Sequence, residues 1–416
     1  MVAMSYQSSE AGPQRNAFVP HVALAHLDLS CDVVRDLAAF ELLAPEWTAL
    51  HERCGLGHHV FLSFNWNWHW ARHYLSSPDC NSELGIVCLR SKGALIGIWP
   101  LRLVRHPGMH VIHWMGEPVS QYGDVLIDPA YRTASVLDYG WARAIAALRA
   151  DALHVRKVRA DANTLAWLQI RRAHVTQRDE APYLDLASAP DFATYEERYS
   201  CKARKNRRRL LRRLCGMGEV RIEHFTSGPE ARAAALEAIT LKRRTLDDSG
   251  RLAVALNDPR FSAFFADAAE GASHPCGCRV TRMTVDGRHV ASTIDINFNG
   301  HRAGHIIVHA PEFASCGPGL HMVEDWARSG IEDGMTQLDL LAPAHDYKWD
   351  WADSAIAVND YALATSLRGR MFVRYLAHGR PRLKALAERY TRWRSAHRSH
   401  SGRATAAAPP PDEKVS

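Results

Sequence analysis

The stretch HRAGHIIVHAPEFASCGPGLHMVEDWARSGIEDGMTQLDLLAPAHDYK, residues 301–348, decides how this chain is read. Ala303 to His309 is a strand-like run, and Gly317, Pro318 and Gly319 make a glycine-rich turn into an amphipathic helix. Thr336 to Leu341 returns as a second strand, and a polar loop ends in Tyr347 and Lys348. A strand that passes through a glycine loop into a helix presents unpaired backbone N–H groups and the positive end of a helix dipole, worth roughly half a unit charge. Such a place holds an anion, most often a phosphate. A glycine–proline–glycine turn also starts helices that bind nothing, so its meaning depends on the rest of the chain.

With 416 residues there is room for two or three domains, each with its own core. A content of 47% hydrophobic and 23% charged residues is that of a globular protein. No run approaches the roughly twenty apolar residues of a membrane span, and the polar start MVAMSYQSSEAGPQRNAF lacks the apolar core of a signal peptide. The expectation is a cytoplasmic protein whose contact with membranes is at most peripheral. Nine cysteines are scattered without paired CxxC units, and the lone Cys276–Cys278 pair beside His274 lacks a fourth ligand, so reduced thiols and no metal are expected. His305 and His309 fall on one side of a strand, over a cleft or in ordinary packing.

Outward from the opening stretch, the second half reads as a strand (Val220 to Phe225), helices at Pro229 to Leu246 and Pro259 to Gly271, and a hairpin of Arg279 to Val285 and His289 to Phe298 about Asp286-Gly287. After the strand, turn, helix and strand already quoted comes a last strand near Tyr361 to Thr365. The first half repeats this order. It has a strand at Val22 to Leu29, a helix through Phe40, Leu43, Trp47, Leu50 and Cys54, and a second helix capped by Ser63. Strands follow at Leu84 to Leu89, Leu95 to Val104 and Val111 to Met115, then a helix through Leu137 to Leu148, a strand at Leu153 to Val158, a helix near Leu165 to Ile170 and a strand near Tyr183 to Leu186. Both halves give β-α-α-β-β-β-α-β and a final strand, which predicts an α/β (α+β) fold of two tandem units. The expected boundaries are a disordered 1–18, a first unit over 19–188, basic linking helices over 189–218, a second unit over 219–367, basic C-terminal helices over 368–399 and a disordered tail over 400–416.

The net charge of +6 is modest, but eight of the twelve positions from Lys202 to Arg213 are Lys or Arg. Three readings are open for this helix. It is a solvated helix packed across the domain junction, an electropositive rim in which Lys202, Arg204 and Lys205 meet an anionic substrate, or a nucleic-acid contact. The charges lack interleaved aromatics, so nucleic acid is the least favoured.

FLSFNWNWHW (Phe61 to Trp70), GALIGIWPL (Gly93 to Leu101), YGDVLIDP (Tyr122 to Pro129), KARKNRRRLLRRL (from Lys202), VDGRHVAS (Val285 to Ser292), GPGL (Gly317 to Leu320) and HDYKWDWAD (His345 to Asp353), in this order, resemble the CelD-like acetyltransferases associated with bacterial polysaccharide biosynthesis. These are relatives of the FemAB-type peptidyltransferases, and the order of elements in each half is similar to the GNAT acyltransferase fold. The resemblance implies a mixed central sheet flanked by helices in each unit and transfer of an acyl group, acetyl above all, from acetyl-CoA or another acyl-CoA to an amine or hydroxyl. It places the CoA pyrophosphate on the loop of Ser315, Cys316, Gly317, Gly319 and Leu320, although Pro318 has no N–H to offer. It makes Tyr347 the acid for the leaving thiolate, with Asp295, Asp346 or His345 as base and Lys348 balancing a phosphate. Asp339 is read as pairing within the fold. The first half has no glycine turn at the equivalent place and takes a structural or acceptor-side role. Implied acceptors are a sugar, a sugar nucleotide or a polysaccharide precursor. Two alternatives are a non-catalytic scaffold of a polysaccharide system and a FemAB-like transferase dependent on aminoacyl-tRNA.

Overall fold

A computed structural model describes residues 27–76, 81–248, 254–271, 277–380 and 382. The expected disorder at 1–18 and 400–416, most of the strand Val22 to Leu29, His274 with Cys276, and the helices beyond residue 382 lie outside these residues.

The strands are β1 (Leu29–Val34), β2 (Ser82–Leu84), β3 (Ile86–Ser91), β4 (Ala94–Trp99), β5 (Leu101–His106), β6 (Met109–Trp114), β7 (Leu126–Ile127), β8 (Ala152–Arg159), β9 (His174–Asp185), β10 (Val220–Phe225), β11 (Gly277–Val285), β12 (Arg288–Phe298), β13 (His301–His309), β14 (Gln337–Asp339) and β15 (Ser354–Ala364). The helices of eight residues or more are α1 (Ala44–Cys54), α2 (Phe64–Tyr74), α3 (Ala134–Leu148), α4 (Cys201–Cys215), α5 (Gly228–Asp248), α6 (Pro259–Glu270), α7 (Pro318–Glu332) and α8 (Leu367–Arg374).

Local chemistry explains where many of these elements begin and end. Ser63 caps α2 by accepting from the Trp66 N–H. Asp286 and Gly287 both take positive φ (49° and 75°), the geometry that a two-residue hairpin needs. Two expected elements are divided by proline. The helix expected from Phe40 to Cys54 is interrupted at Leu43, and α1 starts afresh with Pro45 in its first turn. The strand expected from Leu95 to Val104 breaks at Pro100, which has no N–H for a ladder. There the chain changes sheet: β4 pairs with β3 and β7, whereas β5 pairs with β6 and β2.

That change yields a four-stranded sheet in the order β1-β3-β4-β7 and an eleven-stranded sheet in the order β10-β11-β12-β13-β14-β9-β15-β8-β6-β5-β2. In the large sheet the final strands of the two halves are crossed. β9, from the first half, lies against β14 of the second, and β15, from the end of the second, lies against β8 of the first. The two strands also pair with each other. The core is continuous across the halves, since α1 and α2 share one apolar cluster with α5 and α6. Within it the Trp66 ring meets Phe264 edge-on at 4.7 Å. Among the described residues no helix is long and apolar enough to cross a membrane.

Candidate active site

The parallel pairing of β13 with β14 lasts only from His301↔Gln337 to Ala303↔Asp339, yet β13 runs on to His309. Beyond Ala303 the two strands part. Beside the opening, α7 begins at the Gly317–Gly319 turn, and a cavity of about 360 Å³ is lined there by Lys242, His309, Gly317, Gly319, Leu320, Tyr347 and Trp351, among others. A second cavity of about 180 Å³ is lined by Gln121, Lys242, His305, His345, Tyr347 and Lys348. Lys242, Ile307, Val323 and Tyr347 line both, so the two are neighbours. A larger depression of about 450 Å³ lies by β10 and the β11–β12 turn. Most of its charged groups pair with one another, Arg221 with Glu219 and Arg282 with both Glu223 and Glu237.

Most amides of the turn leading into α7 are committed or missing, and that of Gly319 is the exception. Gly317 caps the helix in the left-handed region at φ 61°, and no side chain caps it. Its N–H donates to the Ala314 carbonyl, Pro318 has none, and the Leu320 N–H bends back to the Gly317 carbonyl. The Gly319 N–H makes no such turn bond. A Cβ on Gly317 would meet Leu210 Cδ1 at 2.9 Å, whereas one on Gly319 would meet only His309 Nδ1 at 3.8 Å. The first glycine is thus needed for its backbone and its contact with α4, the second for the open space beside it. Such a cradle fits an anion at a helix start.

Where the two cavities meet stands Tyr347, on the short helix Asp346–Trp349 that follows β14. The residue is 44% exposed, and partial burial pushes its pKa above the ordinary value, so it keeps its proton at neutral pH. The Lys348 ammonium is buried and donates to the Leu341 and Pro343 carbonyls at 2.6 and 2.8 Å. Burial lowers its pKa to about 8. His305 places Nε2 2.6 Å from the Val119 carbonyl, so that nitrogen carries the hydrogen and Nδ1 is left as a lone pair without a hydrogen-bond partner. Burial lowers its pKa to about 4, which keeps it neutral. Gln121 comes from the first half and accepts at 2.6 Å from Lys157, a lysine that burial lowers to about 8.

The residues expected from sequence divide into those that reach a cavity and those that do not. Tyr347, His345 and Lys348 line the smaller cavity, and Gly317, Gly319 and Leu320 the larger. Ser315 and Cys316 line neither. The Ser315 carbonyl takes a hydrogen bond from Arg213, and the Cys316 thiol is buried against the Met217 sulfur. Asp346 is exposed at its helix start and lines neither cavity. Asp295 corrects the expectation of a base on the central hairpin. It is fully buried, accepts from the Trp326 indole at 2.9 Å and lies 3.4 Å from both Arg279 and Arg302. Lys202, Arg204 and Lys205 on α4 also line neither cavity, whereas Arg207, which was not singled out, is the buried cation of that helix. It stacks over the Tyr199 and Trp351 rings and lies 3.5 Å from Glu324. Gln121, Lys242 and His305 also line the smaller cavity, and of the three only His305, by its strand position, is marked in the sequence.

A buried network behind the cavities joins the halves. Asp339 on β14 accepts from Tyr122 at 2.8 Å and Arg159 at 2.7 Å, both of the first half, and lies 3.4 Å from His301. Burial pushes its carboxyl up, but the His301 ring beside it and the Arg159 charge outweigh this and hold it below the usual range. His58, His59 and Asp124 are also close enough together to suggest a metal site. Asp124, however, already accepts from three amides, of Val125, Asn163 and Thr164, and both His59 nitrogens are occupied, by Asp124 and the Leu56 N–H.

Residues 201–349 match the acetyltransferase (GNAT) domain family. The second half of the chain is thus similar to a GNAT domain, and the two halves together make an α/β fold of two GNAT-like units. Among solved structures, FemX matches at 11% identity with a TM-score of 0.50, over 72% of this chain and 96% of FemX. A conserved protein of unknown function from Bacteroides thetaiotaomicron matches at 12% with a TM-score of 0.50, over 80% of this chain and all of that one. Both likenesses are of fold alone. No curated protein matches the chain.

Proposed function

We propose that the protein transfers an acyl group from an acyl-CoA, acetyl-CoA in the first instance, to an amine or hydroxyl. The carrying observation is the parting of β13 from β14 over the larger cavity, which runs from the Gly317–Leu320 turn to Tyr347. In this reading the Gly319 amide and the positive end of α7 hold the pyrophosphate, and the pantetheine arm lies in the larger cavity. The thioester meets the acceptor at Tyr347. The acceptor occupies the smaller cavity, with the first unit contributing Gln121. Tyr347 hands its proton to the departing thiolate. Among the described residues no carboxylate lines either cavity, so deprotonation of the acceptor falls to His305 or His345; the His305 lone pair is available at neutral pH, although its lowered pKa makes it a weak base. Lys348 and Lys242 give the smaller cavity a positive lining, which suits an acceptor with an anionic group, such as a sugar nucleotide or polysaccharide precursor. The exposed cations Lys202, Arg204 and Lys205 would act outside the cavities, as a rim.

The test is thermal unfolding with and without millimolar acetyl-CoA. Ligand at about 100 times its Kd adds about 2.7 kcal/mol and raises the melting temperature. Gly319→Trp should fold normally, because its Cβ has room, and should abolish the rise, because the indole fills the cradle. No rise in the unaltered protein would refute acetyl-CoA binding and favour the scaffold; salt-sensitive tRNA binding in that case would favour the FemAB-like alternative. Given turnover, Tyr347→Phe should lower kcat about 10²-fold with little change in KM. An unchanged kcat would remove the tyrosine from the mechanism.

A further inference from the structure

The end of the described chain has two unlike faces. Helix α8 begins at Ser366, whose hydroxyl accepts from the Gly369 N–H, and continues directly into the turn Tyr375–Gly379. Its inner face is pinned to the large sheet. Val373 and Leu376 are buried against Ala362, and a Cβ on Gly369 would sit 1.7 Å from the Asp151 carbonyl oxygen. The helix is therefore packed too closely to roll about its axis. The outer face presents Leu367, Met371 and Tyr375, four residues apart, at 75%, 75% and 49% exposure. Side chains spaced by four lie one above the other on a helix, so these form a single apolar ridge.

Among the described residues the charge around the ridge is mainly positive. Arg368, Arg370, Arg374 and Arg380 are exposed beside it, and the sequence has no Asp or Glu between Asp360 and Glu388. One carboxylate lies at its foot, Asp151, which accepts from the Ser366 hydroxyl at 2.6 Å. An apolar ridge flanked by arginines suits a surface that offers anionic groups above a hydrocarbon layer.

We propose that this face of α8 is a docking surface for an anionic lipid bilayer, with Leu367, Met371 and Tyr375 entering the headgroup boundary and the flanking arginines meeting lipid phosphates. Binding is peripheral and reversible, and it fixes one end of the large sheet against the membrane. The inference is independent of acyl transfer, and its test uses no activity.

The full-length protein is sedimented with vesicles of phosphatidylcholine alone and of phosphatidylcholine mixed with phosphatidylglycerol, at about 0.15 M salt. It should co-sediment with the mixed vesicles only. The double variant Leu367→Ser, Met371→Ser should bind at least about tenfold more weakly, from the loss of two apolar anchors. The pair Arg370→Glu, Arg374→Glu should do likewise, at roughly a few-fold or more for each charge. Arg212→Glu, on the exposed face of the other basic helix, should bind as the unaltered protein does. Unaltered melting temperatures establish that the variants are folded. Three results would overturn the proposal. They are failure to sediment with the mixed vesicles, as expected if residues 383–416 or a second copy cover the ridge, undiminished binding by the Leu367/Met371 variant, or loss of binding in Arg212→Glu.

Discussion

Asp339→Ala should destabilise the protein by roughly 3–5 kcal/mol. The aspartate is fully buried and accepts from Arg159, from Tyr122 and, through its other oxygen, from the Leu341 N–H. Removing it leaves the Arg159 guanidinium, only 4% exposed, with Asp161 as its remaining carboxylate partner. It also strips the Tyr122 hydroxyl of its acceptor in a place closed to water. The penalty is mostly that of uncompensated buried groups, so Arg159→Met, Asp339→Leu together should cost less than Asp339→Ala alone. Urea unfolding provides the measurement. A midpoint unmoved by Asp339→Ala would mean that this network contributes little to joining the halves.

Acid should unfold the protein well before its surface carboxylates are neutralised. Burial pushes His51, His154 and His305 down to about 4, and it lowers His58 and His113 well below the ordinary imidazole value. In the unfolded chain each takes up a proton near pH 6.5, while in the folded protein the first three stay neutral until about pH 4. Each therefore contributes stability that is fully present above pH 6.5 and is lost as the pH falls toward 4. The loss is roughly 3 kcal/mol per residue at most, and three such losses are comparable with the whole stability of a domain. Far-ultraviolet circular dichroism followed from pH 7 to pH 4 should show cooperative unfolding within that window. A melting temperature that holds steady down to pH 4.5 would contradict the burial assigned to these rings.

The sequence disclosed what depends on neighbours along the chain. The Ser63 cap, the Asp286-Gly287 turn and the glycine turn before α7 all rest on residues within a few positions, and each stands where its chemistry puts it. What stayed hidden depends on pairing at a distance. Asp295 shows why. Counting back from the Asp286-Gly287 turn without interruption sets Ile294 opposite Arg279, but a bulge at Met283 and Thr284 shifts the register by one and brings Asp295 there instead. A carboxylate read as available for catalysis is thereby matched to Arg279, and Arg302 approaches it from β13. Gln121, Lys242 and His305 come from a loop, a helix and a strand far apart in sequence, and only the folded sheet sets them around one cavity. Pro100 could be recognised as a poor strand residue, yet its effect, the transfer of a strand to another sheet, required knowing that there were two sheets.

The crossing of β9 and β15 sets an order for the birth of the molecule. As the chain leaves the ribosome from its N-terminus, β8 must wait for a neighbour that lies about two hundred residues downstream, since Arg159 pairs with Val358. β9 likewise lacks both of its flanking strands until residues 337–339 and 354–362 have been made. The first half therefore emerges with unpaired strand edges, which are prone to stick to other chains. Synthesis that stops within the second half should yield a product that chaperones hold or proteases remove, and the two halves, made as separate polypeptides, would have to find each other before either could close its sheet.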